Sequence, residues 1–128
     1  MIDPSDPGEA ELQFLAERHL ATLTTMRRDG SPHVVPVGFS YEPTERIVRI
    51  ITFASSIKAR HAALGGRAAV SQVDGARWLT LEGSVRLVTD AAGVAAAVEG
   101  YAARYRQPSQ RVDRVAIEIV VDRIMGRA

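Results

Sequence analysis

The run WLTLEGSVRLV, Trp78 to Val88, alternates apolar and polar side chains along its length. Leu79, Leu81, Val85 and Leu87 fall on one face, and Thr80, Glu82, Ser84 and Arg86 on the other. A period of two belongs to a strand with one buried face, because a helix would scatter the same residues around its axis. Five more short runs have strand character: Leu20 to Met26, His33 to Glu42, Ile47 to Phe53, Arg67 to Asp74 and Val115 to Gly126. Turn signals such as RRDGSP and Gly75 separate them. Ile47 to Phe53 is apolar on nearly both faces and is expected to be central. In His33 to Glu42, Pro36 cannot donate to a ladder and Gly38 bares the backbone, which predicts an open edge or a place where something approaches closely.

Three segments read as helices. Asp6 serves as the cap of the first, with Pro7 at its first position and Glu9 at its third; Leu12, Leu15, Ala16 and His19 then recur at helical spacing. The second spans Ser55 to Leu64. The third starts near Asp90, carries Val94, Val98, Tyr101 and Tyr105 on one stripe, and stops before Pro108. Six strands and three helices joined by short turns predict a mainly β chain, a single domain over residues 1–128 built as a six-stranded antiparallel barrel with peripheral helices.

Several functions are disfavoured by what the chain lacks. It has no cysteine, which removes disulfides, thiolate metal sites and cysteine nucleophiles. The histidines His19, His33 and His61 sit in three different elements without paired spacing, so no metal site is expected. No GxSxG, GxxxxGK[ST] or GxGxxG motif occurs. A net charge of +1 argues against a dedicated nucleic-acid binder. The start MIDPSDPGEAE lacks the basic and apolar regions of a secretory signal, and no apolar run approaches a membrane span, so a cytoplasmic protein is expected. An enzyme of this composition would take its reactive group from a cofactor.

The stretch FASSIKARHAAL, Phe53 to Leu64, offers a place for one. A helix start needs only one capping hydroxyl, yet Ser55 and Ser56 are both present and Lys58 follows. Free amides, a spare hydroxyl and an ammonium together suit a phosphate group, although a capped and solvated helix explains the same residues.

The order LATLTTMRRDGSPHVVPVGFSYEP, IVRIITFASSIKARHA, SQVDGARWLTLEGSVRL resembles the split β-barrel flavin and deazaflavin oxidoreductases, the superfamily of pyridoxamine-phosphate oxidase with its FMN-binding fold. The similarity extends from Phe14 to Gly126 and is greatest to the branch that uses the deazaflavin coenzyme F-420. FLAERHLATLTT, PHVVPVGF, QVDGARWLTLEG and YAARYRQP look like segments of its bilin-reducing members. The resemblance implies that Ser55, Ser56, Ile57 and Lys58 cradle the cofactor phosphate. It implies that Thr52 and the backbone of Ile51 touch the ring system or ribityl chain, and that His33, Pro36, Val37 and Gly38 pass beneath it. Trp78 and Leu79 would reach the ring from a partner subunit, since these barrels pair as homodimers with two shared sites.

One departure bears on the cofactor. Flavin-binding relatives often carry a basic pair in the phosphate loop, whereas here Ile57 precedes Lys58 and the next base is Arg60. Lys58 and Arg60 point about 200° apart on a helix, so both cannot grip one phosphate, while His61 lies one turn from Lys58. Arg60, with Arg27, Arg28, Arg77 and Arg104, is a candidate contact for the acidic oligoglutamate tail of F-420, which FMN lacks. The implied reaction moves a hydride from reduced F-420 to a conjugated small-molecule acceptor, as in biliverdin to bilirubin. The alternatives are an FMN enzyme of pyridoxamine-phosphate oxidase type and a protein that only binds F-420 or a tetrapyrrole.

Overall fold

In the computed structural model, which describes residues 1–128, helix α1 (Glu9–Ala16) precedes a hairpin of β1 (Ala21–Met26) and β2 (Pro32–Val37). There follow β3 (Ser40–Glu42), β4 (Ile47–Phe53), α2 (Ile57–Ala63), β5 (Arg67–Asp74), β6 (Arg77–Val88), α3 (Ala91–Arg104) and β7 (Arg114–Arg127). The strands form one antiparallel sheet in the order β2-β1-β5-β6-β7-β4-β3.

There are seven strands rather than the expected six, because the segment from His33 to Glu42 is not one strand. It breaks at Gly38 and Phe39, and its halves β2 and β3 lie on opposite edges of the sheet. Three Cα steps from Val37 to Ser40 span at most about 11 Å. The two edges must therefore curl toward each other, which makes a barrel whose seam is crossed by the chain and not by a ladder. Pro32 and Pro36 lie on β2, whose outer side has no strand neighbour, so their missing amide hydrogens cost no ladder bond there.

The side chains that fill the barrel follow the alternation of the sequence. Leu79, Leu81 and Val85 of β6 meet Ile117, Ile119 and Val121 of β7, Val48 and Ile50 of β4, and Leu23 and Val70 of β1 and β5. Each such side chain contributes roughly 1.5–3 kcal/mol when fully buried. The register of β6 against β7 slips at Gly83, where an added Cβ would lie 1.8 Å from the Val120 carbonyl oxygen, so only glycine fits the bulge.

The first helix begins later than its sequence suggests. Gly8 holds the cap position of α1 without a side-chain bond, and the Asp6 amide is spent on a turn to the Asp3 carbonyl. For α3 the expectation holds: Asp90 accepts the Gly93 amide at 2.9 Å. No helix is long and apolar enough to cross a membrane.

Candidate functional site

The seam leaves a gap. Strand β3 pairs with β4 only at Ile47, Val48 and Arg49, so from Ile50 to Phe53 β4 has β7 on one side and no strand on the other. Between this bare edge and the end of β2 lies a cleft of about 440 Å³. Pro36, Val37 and Gly38 line one wall, Ile51, Thr52 and Phe53 the other, with Lys58 at the start of α2 and Tyr101 from α3. The segment from Arg106 to Arg114 closes the top.

Six of the expected residues thus meet in one place: Pro36, Val37, Gly38, Ile51, Thr52 and Lys58. The close approach at Gly38 comes from the protein itself, since a Cβ there would lie 3.1 Å from the rings of both Tyr101 and Tyr105. The Tyr105 hydroxyl accepts the Phe39 amide at 3.1 Å and donates to the His19 carbonyl at 2.6 Å. The C-terminal turn of α3 in this way clamps the link between β2 and β3.

The two serines divide the work. Ser56 is the cap of α2, accepting from the Ala59 amide at 3.2 Å and from the Thr52 hydroxyl at 3.0 Å, and it is buried. Ser55 is exposed, which leaves its hydroxyl as the spare one, although it lines neither cavity. Ile57 and Arg60 lie on the other side of α2 and line a second cavity of about 580 Å³ with Arg27, Arg28 and His61. Lys58 and Arg60 do point apart, and His61 faces the second cavity and not the seam cleft.

Two histidines that the sequence keeps apart are neighbours. His33 on β2 and His61 on α2 stack edge to face with ring centroids 5.0 Å apart, and His61 Nδ1 shares a hydrogen bond with Thr25 Oγ1 at 2.8 Å. His33 Nδ1 is buried without a partner; burial first, then the nearby His61, Arg27 and Lys58, holds its pKa below the usual histidine value. Trp78 and Leu79 line neither cavity. The Leu79 side chain is enclosed in this chain's own core, so only its backbone is left for a partner's ligand, whereas Trp78 is partly exposed on the outer face. Elsewhere Glu17, His19 and Asp74 converge within 4.8 Å, but Arg77 already pairs with both carboxylates, as a cation standing where a metal would.

The electrostatics of the cleft are one-sided. Lys58 is the only lysine in the chain; it makes no ion pair, and burial pushes its pKa down. Arg106, Arg111 and Arg114 join it, and no carboxylate lines the cleft. Arg111 pairs with Asp113 and lies 4.2 Å from the centroid of Phe53. Two of the expected tail contacts are spent on structure. Arg77 holds Glu17 and Asp74, and Arg104 is buried, donating to Glu17 O, Phe39 O and Gln72 Oε1. The arginines after α3 were not foreseen, although RYRQPSQRVDR carries four arginines against one acid.

Comparison with known proteins gives the family and the fold. The family described as pyridoxamine 5'-phosphate oxidase matches residues 8–127. An F-420-dependent biliverdin reductase of Mycobacterium tuberculosis is 51% identical over 117 residues, 91% of this chain and 85% of that protein. Among solved structures, a conserved hypothetical protein of Mycobacterium tuberculosis shares the fold with a TM-score of 0.79 at 22% identity, covering 95% of this chain and 85% of its own. An F-420 reductase does so with a TM-score of 0.75 at 24% identity, covering 94% and 98%.

Proposed function

The chain belongs to the pyridoxamine 5'-phosphate oxidase family, and from that premise we propose that it is an F-420-dependent oxidoreductase that reduces biliverdin to bilirubin. The observation that carries this reading is the 51% identity to a biliverdin reductase of that cofactor class, sustained over nine-tenths of the chain. The donor set fits the cofactor: an unpaired ammonium with Arg106 and Arg111 in a cleft without a carboxylate suits a phosphodiester, and Arg27, Arg28 and Arg60, against the one acid Asp29, in the second cavity suit its acidic tail.

Bound reduced F-420 supplies the hydride. The protein supplies position. Lys58 and the Ser55 hydroxyl hold the phosphate, Pro36 to Gly38 support one face of the ring, and Ile51 and Thr52 border it from the bare edge of β4. Desolvation by Phe53 and Tyr101 turns an encounter into a near-attack geometry. His33, half-buried on the same strand as Pro36, orders that wall through its contact with His61.

The protein works as a homodimer in this reading. Leu20, Met26, Val34, Val73 and Trp78 all expose apolar surface on the outer face of the β2-β1-β5-β6 half of the sheet. A second copy covers that face, bringing Trp78 and the Leu79 backbone toward the neighbouring site. Titration with F-420 and with FMN, followed by oxidation of reduced F-420 with biliverdin, tests the assignment. F-420 should bind at least about tenfold tighter than FMN, a difference of about 1.4 kcal/mol that shrinks with salt. Equal affinities, or binding without turnover, overturn it.

A further inference from the structure

Arg114 opens β7 directly opposite Phe53, the last residue of β4. Its guanidinium pairs with no carboxylate, whereas Arg111 beside it is neutralised by Asp113. Arg111 and Arg114 are also the two residues shared by the seam cleft and a groove of about 770 Å³ on their far side. That groove runs between the first turns of α3 and the segment Gln110 to Arg114. Its floor is apolar, formed by Val94, Ala95 and Val98, and Val112 stands fully exposed at its rim.

Space and charge point to one occupant. Pockets that hold one drug-sized ligand run from roughly 300 to 1,000 Å³, so the cleft at about 440 Å³ has room for one partner of a hydride transfer and not for two. The other must extend past the wall made by Arg111 and Arg114, and the groove is the space it enters. A partly buried guanidinium without a counterion favours an anion, and apolar walls favour a ligand that is otherwise hydrophobic.

We infer that this groove is the acceptor subsite: Arg114 pairs with a carboxylate of an elongated conjugated acceptor, while Val94 and Val98 pack against its apolar body. The inference rests on the reductase reading above, and makes Arg114 a specificity-determining residue for acidic acceptors.

The test uses the full chain with Arg114→Met, Arg114→Lys and Val98→Glu, and compares biliverdin with its dimethyl ester. Arg114→Met should leave F-420 affinity, read by fluorescence, within about twofold of the parent. It should raise KM for biliverdin about tenfold or more, the loss of one charge-assisted bond, with kcat little changed and the ester unaffected. Arg114→Lys should restore part of the preference for the acid. Val98→Glu should raise KM for acid and ester alike, and F-420 binding by this variant also reports that it is folded. Equal responses of acid and ester to Arg114→Met, or a fall in F-420 affinity, overturn the inference. Absence of turnover with either bilin overturns the reductase reading instead, and absorbance titration of the two bilins then decides the groove by the same acid-over-ester preference.

Discussion

Arg104 holds Phe39 twice: its Nη1 donates to the Phe39 carbonyl at 2.7 Å, and its guanidinium lies 4.6 Å from the centre of the Phe39 ring. The same side chain also reaches Gln72 Oε1 at 2.8 Å and Glu17 O at 2.7 Å, so one buried cation ties α3 to the β2–β3 link, to β5 and to the end of α1.

Arg104→Met should therefore destabilise the fold strongly, since it removes the donor to the buried Gln72 Oε1 and to the Glu17 carbonyl, and leaves the Phe39 carbonyl with only the 3.3 Å bond from the Tyr105 hydroxyl. A loss of about 3 kcal/mol is expected, seen as a fall in Tm of about 10 °C. A change of less than a third of that would mean that water replaces the guanidinium.

Lys58→Ala should keep the fold, because the ammonium faces the cleft and supports no core contact. Losing a charge-assisted bond of roughly 1.5–3 kcal/mol weakens F-420 binding about 10- to 150-fold. The kcat at saturation should change far less, the phosphate being held equally in ground and transition states. Unaltered affinity would reduce Ser55, Ser56 and Lys58 to a helix start.

The lowered pKa of Lys58 has a direction in pH. Burial depresses it from 10.5, so the ammonium proposed to bind phosphate is lost as pH rises through a value below that of a free lysine. F-420 affinity should fall as pH rises through that titration in the parent, and stay flat in Lys58→Arg, whose guanidinium remains charged. Parallel curves for the two would detach Lys58 from the ligand.

Glu17 governs the acid side. Hydrogen bonds from Arg77 and then His19 hold its carboxyl at about 2, against an ordinary 4.5. A depressed carboxylate contributes stability above its unfolded value and loses it as pH falls from 4.5 toward about 2. Tm measured through that window should drop less steeply in Glu17→Gln than in the parent.

Sedimentation at micromolar concentration should show a dimer, and Val73→Glu with Trp78→Glu should yield monomers. A stable interface buries on the order of 800 Å² per partner, which the outer face of four strands can supply. A monomeric parent that binds F-420 fully would remove the partner's contribution to the site.

The strands were legible because their burial follows a period of two that the residues write directly, as Leu79, Leu81 and Val85 show. The break at Gly38 was not. Val37 and Phe39 both face inward, and alternation alone does not reveal that the chain leaves one edge of the sheet and joins the other. Lys58 was legible at the site as a local signal at the start of a helix, whereas Ile51 followed from the family resemblance alone. Arg106, Arg111 and Arg114 were not, because their proximity to Lys58 depends on how α3 packs across the seam. Arg77 and Arg104 read as free cations for the complementary reason: the carboxylates and carbonyls that engage them are mostly distant in sequence.

The seam has a mechanical meaning. Two residues of chain and the side chains of Arg104 and Tyr105 do there what a row of ladder hydrogen bonds does elsewhere. Widening the cleft therefore breaks few bonds, and a ligand wedged between β2 and β4 completes the barrel as a missing stave would. Its binding free energy then adds to the cost of prying the edges apart. Amides of β2 and of Ile50 to Phe53 should exchange faster than those of β6 when the cleft is empty, and slow together once it is filled.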